Sequence, residues 1–337
     1  MSGSEILDVD LLAFERGDAT SRRATVDGVL RSLANGFVYT SHDLGETLLD
    51  DAYGMLAEFF ALPADTKARF VAPGSHGQTG YTGLLVETAA GSDHADWKEM
   101  LNWSAEIPGN HPLRTRYPHR YAEQVLPEAA VPGSREVLMR FHDRVFDLQR
   151  RFLRIIAVGL GAAEDFFEAS LRHGPTLTRA IHYPPMSLAP GARHEWAGAH
   201  GDIASSPRCP APPPRPTGCA PATAGVGAVA PEGRVIISTG MMLEHLTNGL
   251  IPAVSTGWWP GPASPGSAIR WCSSATHPVD GPRPLASCVT AEHPQRYTAR
   301  CRPGLPPPTD PVGDQPDRGL VTARAIMAIS RRAGSSG

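Results

Sequence analysis

The chain has 337 residues, 41% of them hydrophobic, enough to build a core as one large β-domain with helical additions or as two smaller domains. A formal net charge of −3 and a pI near 6.5 leave no electrostatic footprint for nucleic acid, and no cluster of Lys and Arg marks a membrane surface, so a small molecule is the expected partner. The first residues carry Glu5, Asp8, Asp10 and Glu15 without an apolar h-region, and no apolar run approaches membrane-spanning length; the expected location is cytoplasmic.

In chain order, residues 6–10 read as a short strand, and residues 21–33 as a helix with an apolar stripe at Val26, Val29, Leu30 and Leu33. Gly36-Phe37-Val38-Tyr39 is a second strand. Leu44, Leu48, Leu49, Met55, Leu56, Phe59 and Phe60 then recur at helical spacing until Leu62-Pro63 stops them. The longest helix is expected around Val137, Leu138, Phe141, Val145, Leu148, Phe152, Leu153 and Ile156, ending near Gly159-Leu160-Gly161, with its aromatics in the core. Residues 177–183 form a strand closed by Pro184-Pro185, which leads through a loop to a strand carrying His200-Gly201-Asp202. An imidazole and a carboxylate two residues apart on a strand share a face, so both can bind one metal. A second imidazole from a distant strand would complete a 2-His-1-carboxylate triad for Fe(II). A bare His-x-Asp is otherwise more often a solvated turn.

Several of these pieces together resemble one family. Residues 6–10, Gly36-Phe37-Val38-Tyr39-Thr40-Ser41-His42-Asp43 and Phe59-Phe60-Ala61-Leu62-Pro63-Ala64-Asp65-Thr66-Lys67 are similar to the N-terminal region of the isopenicillin N synthase-like, iron/2-oxoglutarate-dependent oxygenases. Further matches are Gly80-Tyr81, Glu87-Thr88-Ala89, Asp96-Trp97-Lys98-Glu99, His182-Tyr183-Pro184-Pro185 and the His-x-Asp itself. The resemblance implies an α+β fold, a double-stranded β-helix (jelly-roll) core wrapped by N-terminal helices. On that pattern residues 1–175 are the N-terminal region, 176–300 the core and 301–337 an irregular tail. The resemblance also implies that His200 and Asp202 hold Fe(II), and that Tyr183 contacts the 2-oxoglutarate carboxylate; for Tyr183 a plain packing role before the Pro-Pro stop is an equal alternative. Lys98 and Glu99 are expected to be a surface charge pair.

Beyond Ile203 the composition changes. Eleven of the 33 prolines precede it and 22 follow, and all five cysteines (Cys209, Cys219, Cys272, Cys288, Cys301) lie in the later part. Residues 204–227 hold seven prolines and no Leu, Ile or Phe where the family has an apolar strand. Residues 229–252 match the family's strand and following loop again. Then Ser255-Thr256-Gly257-Trp258-Trp259 stands where a distal His-Arg-Val belongs.

The genetic code offers an explanation. Trp has one codon, so Gly257-Trp258-Trp259 fixes much of its own DNA, and reading that DNA two bases on forces Val at the second junction and permits Val at the first. The last base of the Ser255 codon with the first two of Thr256 can spell His, and the next triplet Arg. In the same frame residues 266–278 can read Leu-Arg-Tyr-Ser-Val-Val-Gln-Phe-Cys-His-Pro, which contains the Arg-x-Ser that in the family binds the far carboxylate of 2-oxoglutarate. Residues 204–220 can read as an apolar strand. Residues 204–227 and 253–286 are therefore expected to be out-of-frame translation, and residues 287–297 an in-frame island; the alternative is a Pro-rich insertion. The irregular stretches are expected at 204–227 and 300–320, because proline cannot donate to a ladder.

Other sites are not supported. The cysteines, with His277 and His293, show no C-x2-C pair or zinc-finger spacing, and nothing supports disulfides. His245, a conceivable third ligand, is expected to be a partly exposed loop histidine. The implied function is a nonheme Fe(II), 2-oxoglutarate-dependent oxygenase, with O2 and a small-molecule substrate as partners and ascorbate as an accessory reductant. It would carry out hydroxylation, desaturation or ring-forming oxidation, in secondary or antibiotic metabolism by analogy. Alternatives are a 2-oxoglutarate-independent Fe(II) oxidase of the isopenicillin N synthase type and an inactive, frameshifted product. The oligomeric state is open.

Overall fold

The computed structural model describes residues 6–88, 93–190, 194–201, 231, 233–253, 255–258, 268–275 and 284–297. Aspartates start its first helices. Asp10 accepts the Leu12 amide (2.9 Å) and Asp18 the Ser21 amide (2.8 Å), giving partners to first-turn donors that a helix cannot satisfy itself. In chain order the elements are β1 (Asp8–Val9), α1 (Leu11–Arg16), α2 (Ala19–Leu33), β2 (Phe37–Ser41), α3 (Glu46–Ala61), α4 (Ala64–Ala68), β3 (Gly80–Thr82), β4 (Glu99–Trp103), α5 (Pro112–Arg116) and α6 (Ser134–Gly159). There follow α7 (Glu168–Leu171), β5 (Thr176–Tyr183), β6 (Ala197–Gly201), β7 (Arg234–Ser238), α8 (Met241–Leu246), β8 (Ser255–Trp258) and β9 (Ala268–Ala275).

The apolar stripes read from the sequence are the buried faces of α2, α3 and α6. Leu138, Phe141, Val145, Leu148, Phe152 and Ile156 of α6 are buried together with Val29 and Leu33 of α2 and Leu56 and Phe59 of α3. Both shorter helices pack on α6. Side chains three and four apart share a helix face, and burying one such face is what stabilises a helix in a protein. The helix α1 spans only six residues, too few for a periodicity to reveal. The first strand is shorter than residues 6–10.

Among the described residues three sheets stand beside the helices. One has the order β1-β2-β7; the second, β3-β4-β5-β9, is antiparallel throughout; the third pairs β6 with β8 antiparallel. Residues 241–246 form α8 rather than the expected loop. Strands also form at 255–258 and 268–275, within the segment expected to be out of frame, because ladder hydrogen bonds are made by backbone groups common to nearly every residue. The irregular stretches expected at 204–227 and 300–320 lie outside the described residues. Among the described residues no helix is long and apolar enough to cross a membrane.

Residues 287–297, the stretch expected to be in frame, pack on α8 through Tyr297, whose hydroxyl meets Glu244, and on the turn after α8 through Asn248. Asn248, whose φ of 55° is a left-handed conformation that Asn tolerates, accepts the Arg296 amide on Oδ1 (2.7 Å) and donates through Nδ2 to the Pro294 carbonyl (3.1 Å). Its own carbonyl meets His293 Nε2 at 2.9 Å.

Candidate functional site

The strand β5 is the wall on which the site is built, and its two faces have different duties. Thr176 and Thr178 are buried under α6, where their hydroxyls meet the two ring nitrogens of His142 at 3.0 and 2.7 Å. Burial pushes the His142 pKa down to about 4, so this ring is neutral. Alternation along a strand turns Arg179, Ile181 and Tyr183 to the other face.

On that face Tyr183 is only 1% exposed and packs with Trp97, Trp196 and Ala197. The ring centroids of Tyr183 and Trp196 lie 5.3 Å apart. The Pro184-Pro185 stop also has a use here. Its carbonyls, freed from the ladder, accept the indole N–H groups of Trp196 (2.8 Å) and Trp97 (3.3 Å). The Trp97 amide donates to the Glu195 carbonyl (2.7 Å), tying the start of β4 to the approach of β6. Tyr183 therefore faces the sheet that carries His200.

His200 is the fourth residue of β6, and its neighbour across the ladder is Thr256 of β8; Gly201 stands across from Ser255. Asp202 lies outside the described residues. Across the other wall, Tyr183 pairs with Ala268 of β9. Among the described residues no group of three or more His, Cys, Asp or Glu gathers to hold a metal. As written, the described chain places a threonine, whose neutral hydroxyl is a poor Fe(II) ligand beside imidazole, at the ladder position facing His200.

Behind β4 lies a buried charge cluster. Glu99 is 2% exposed, and its carboxylate accepts from Lys67 Nζ (2.7 Å), the Tyr81 hydroxyl (2.5 Å) and His182 Nδ1 (2.7 Å). Lys67 also donates to the Phe60 carbonyl (3.1 Å), and Phe60 stacks on His182. Burial alone would raise the Glu99 pKa, but the donors from His182, Lys67 and Tyr81 outweigh it and hold the carboxyl below the ordinary range. The same burial, with the charge of Glu99, drives the Tyr81 hydroxyl upward. Lys98 is buried too, against Asp96 (2.8 Å) and Glu87 (3.3 Å). The expected surface pair of Lys98 and Glu99 is thus wrong for both residues. Consecutive strand residues point to opposite faces, and β4 is covered on both.

Lys67, Tyr81 and His182 were not singled out by sequence reasoning as a group. The available signal was a charged residue opening the otherwise apolar run Met100-Leu101, which needs partners if that run is buried. His245 lies in the last turn of α8 instead of in a loop. It is half-buried, with its ring centroid 4.3 Å from that of Tyr297, and burial lowers its pKa.

Comparison with known proteins bears on this arrangement. Residues 8–128 match the sequence family described as non-haem dioxygenase in morphine synthesis N-terminal. Over 163 residues the chain is 31% identical to a 2-oxoglutarate-dependent dioxygenase of Gibberella zeae, a match covering 47% of this chain and 42% of that protein. Its relatives are iron- and 2-oxoglutarate-dependent oxygenases. Another is the 2'-deoxymugineic-acid 2'-dioxygenase of Hordeum vulgare, 24% identical over 44% of this chain and 40% of that protein. The chain thus spans about two fifths of the length of these curated oxygenases. The fold likeness reaches further. A 2OG-Fe(II) oxygenase family protein of Caulobacter crescentus superposes with a TM-score of 0.69 at 26% identity, over 87% of this chain and 93% of that one. The dioxygenase for auxin oxidation in rice gives 0.59 at 17% identity, over 87% and 91%, which is a likeness of fold.

Proposed function

We propose that this chain descends from an Fe(II)- and 2-oxoglutarate-dependent oxygenase of a small molecule, with a jelly-roll core, and that as written it is an incomplete form of that enzyme. The observation that carries the reading is the strand register. The shifted frame can spell His across the Ser255 and Thr256 codons, and Thr256 is the ladder neighbour of His200. It can spell Arg across the Ser267 and Ala268 codons, and Ala268 is the ladder neighbour of Tyr183. One frame thus allows two motifs absent from the written sequence at two backbone positions next to the residues they must serve.

In the restored chain His200, Asp202 and the distal imidazole would hold Fe(II). When bound, the metal supplies open positions for the keto acid and O2 and couples oxidative decarboxylation to oxidation of a substrate C–H bond. Tyr183 would donate to the keto-acid carboxylate, and Trp97 and Trp196 would keep water from that wall.

The test compares the written chain with one whose frame is restored across residues 204–227 and 253–286. Mn(II) binding and Fe(II)-dependent release of succinate from 2-oxoglutarate are measured in both. The restored chain should bind and turn over, and the written chain should stay near background. Turnover by the written chain that is abolished by His200→Ala would show that another residue completes the site. Failure of both chains to bind Mn(II) would overturn the oxygenase reading.

A further inference from the structure

On the same inner face of β5 as Tyr183, two buried polar groups lack partners among the described residues. Arg179 is 16% exposed along its side chain; its Nη1 reaches Glu87 Oε1 at 3.4 Å, while its buried Nε finds no hydrogen-bond partner among the described residues. Glu87 is in turn shared with Lys98 at 3.3 Å, so it neutralises Arg179 only in part. Directly across the ladder from Arg179 stands Asn102 of β4, fully buried. Its Nδ2 donates to the Gly80 carbonyl and to Thr82 Oγ1, both at 3.1 Å, and its Oδ1 has no donor among the described residues.

A buried donor and a buried acceptor left open side by side are costly, and folded proteins retain such groups where a ligand completes them. The unpartnered Nε of Arg179 lies on the side of the guanidinium that can grip a carboxylate side-on through two parallel bonds. The carbonyl of Asn102 accepts one N–H or O–H. Arg179 lies four residues, about 13 Å, along the strand from Tyr183, so the pair is a second anchoring point beside the one assigned to the keto acid.

We infer that Arg179 and Asn102 recognise the substrate, and that the substrate class is a small carboxylate bearing an adjacent N–H or O–H donor, such as an N-acylated amino acid or a hydroxy acid. This rests on the oxygenase reading for the word substrate, but the anion site itself does not.

Isothermal titration calorimetry on the full-length chain tests it, with N-acetyl-L-leucine, N-acetyl-L-phenylalanine and lactate as probes and their neutral primary amides as controls. The acids should bind roughly tenfold or more tighter than the amides, the scale of a charge-assisted hydrogen bond. Arg179→Gln should erase the preference. Arg179→Lys, which keeps the charge but not the fork, should reduce it, and serves if Arg179→Gln does not fold by circular dichroism. Asn102→Leu should weaken the acids while leaving their preference over the amides. Equal binding of acids and amides, or a preference untouched in both Arg179 variants, would overturn the inference. So would loss of 2-oxoglutarate binding when Arg179→Gln is made in the frame-restored chain, which would give this edge to the keto acid. Mn(II) and 2-oxoglutarate titrated on the frame-restored chain and its Arg179 variants keep the two readings apart. An Arg179-dependent acid preference without Mn(II) binding sinks the oxygenase reading alone, and Mn(II) binding without the preference sinks the recognition pair alone.

Discussion

Replacing Glu99 with Gln should be among the most damaging isosteric changes in this protein. The carboxylate takes three hydrogen bonds in a place almost without solvent, and one of its donors, Lys67, is itself 9% exposed along its side chain. Glu99→Gln leaves that ammonium with the Phe60 carbonyl and a neutral amide. Removing one member of a buried ion pair costs about 3–5 kcal/mol, against a total stability of about 5–15 kcal/mol. Lys67→Met should cost about 2–4 kcal/mol by stranding the carboxylate. The double variant should cost only about 1–2 kcal/mol. The buried ion pair is then gone from both sides, and the Gln amide oxygen can still accept from Tyr81. Urea unfolding followed by circular dichroism gives the three values. The pH dependence has a defined sign. A carboxyl held below its ordinary value stabilises fully above the unfolded pKa, and this contribution disappears as pH falls through the lower folded value. In Lys67→Met the acid limb should move to higher pH. A Glu99→Gln cost under about 1 kcal/mol, or single costs that simply add in the double variant, would refute the argument.

Four further outcomes are expected. His142 titrates near 4 when folded and in the ordinary histidine range when unfolded, so the unfolded chain binds the extra proton between those values; stability should rise by roughly 3 kcal/mol from pH 4 to 6.5, and His142→Gln should flatten that limb in urea titrations at stepped pH. Gly80 has φ 81°, and a Cβ there would sit 2.5 Å from the Phe70 carbonyl oxygen, so Gly80→Ala should cost roughly 2–4 kcal/mol in thermal unfolding. Gly54 lies inside α3 with nothing within 4 Å of its missing Cβ, so Gly54→Ala should stabilise by about 0.5–1 kcal/mol in the same assay. Finally, Thr256→His in the written chain should tighten Mn(II) binding measurably, because the new imidazole enters at the ladder position facing His200; unchanged binding would mean that the register does not bring the two residues to one ion.

The sequence by itself determined the helical half. Periodic apolar residues encode α2, α3 and α6 because a helix repeats its buried face locally, and Pro63 and Pro184-Pro185 mark ends because proline lacks the donor that continuation needs. The order of short motifs was enough to point to the oxygenases, and the missing His and Arg could be sought in a second frame because the Trp258-Trp259 codons force a Val there and the neighbouring codons permit the rest of the motif. Only the tertiary structure decided which charges are buried. Lys98 and Glu99 look like any solvated pair until β4 is placed between β3 and β5, and the partners of Glu99 come from Lys67, Tyr81 and His182, spread over more than a hundred positions. The same holds for Arg179 facing Asn102 and His200 facing Thr256. Register between strands distant in the chain depends on how whole faces pack, and no local window of sequence contains that information.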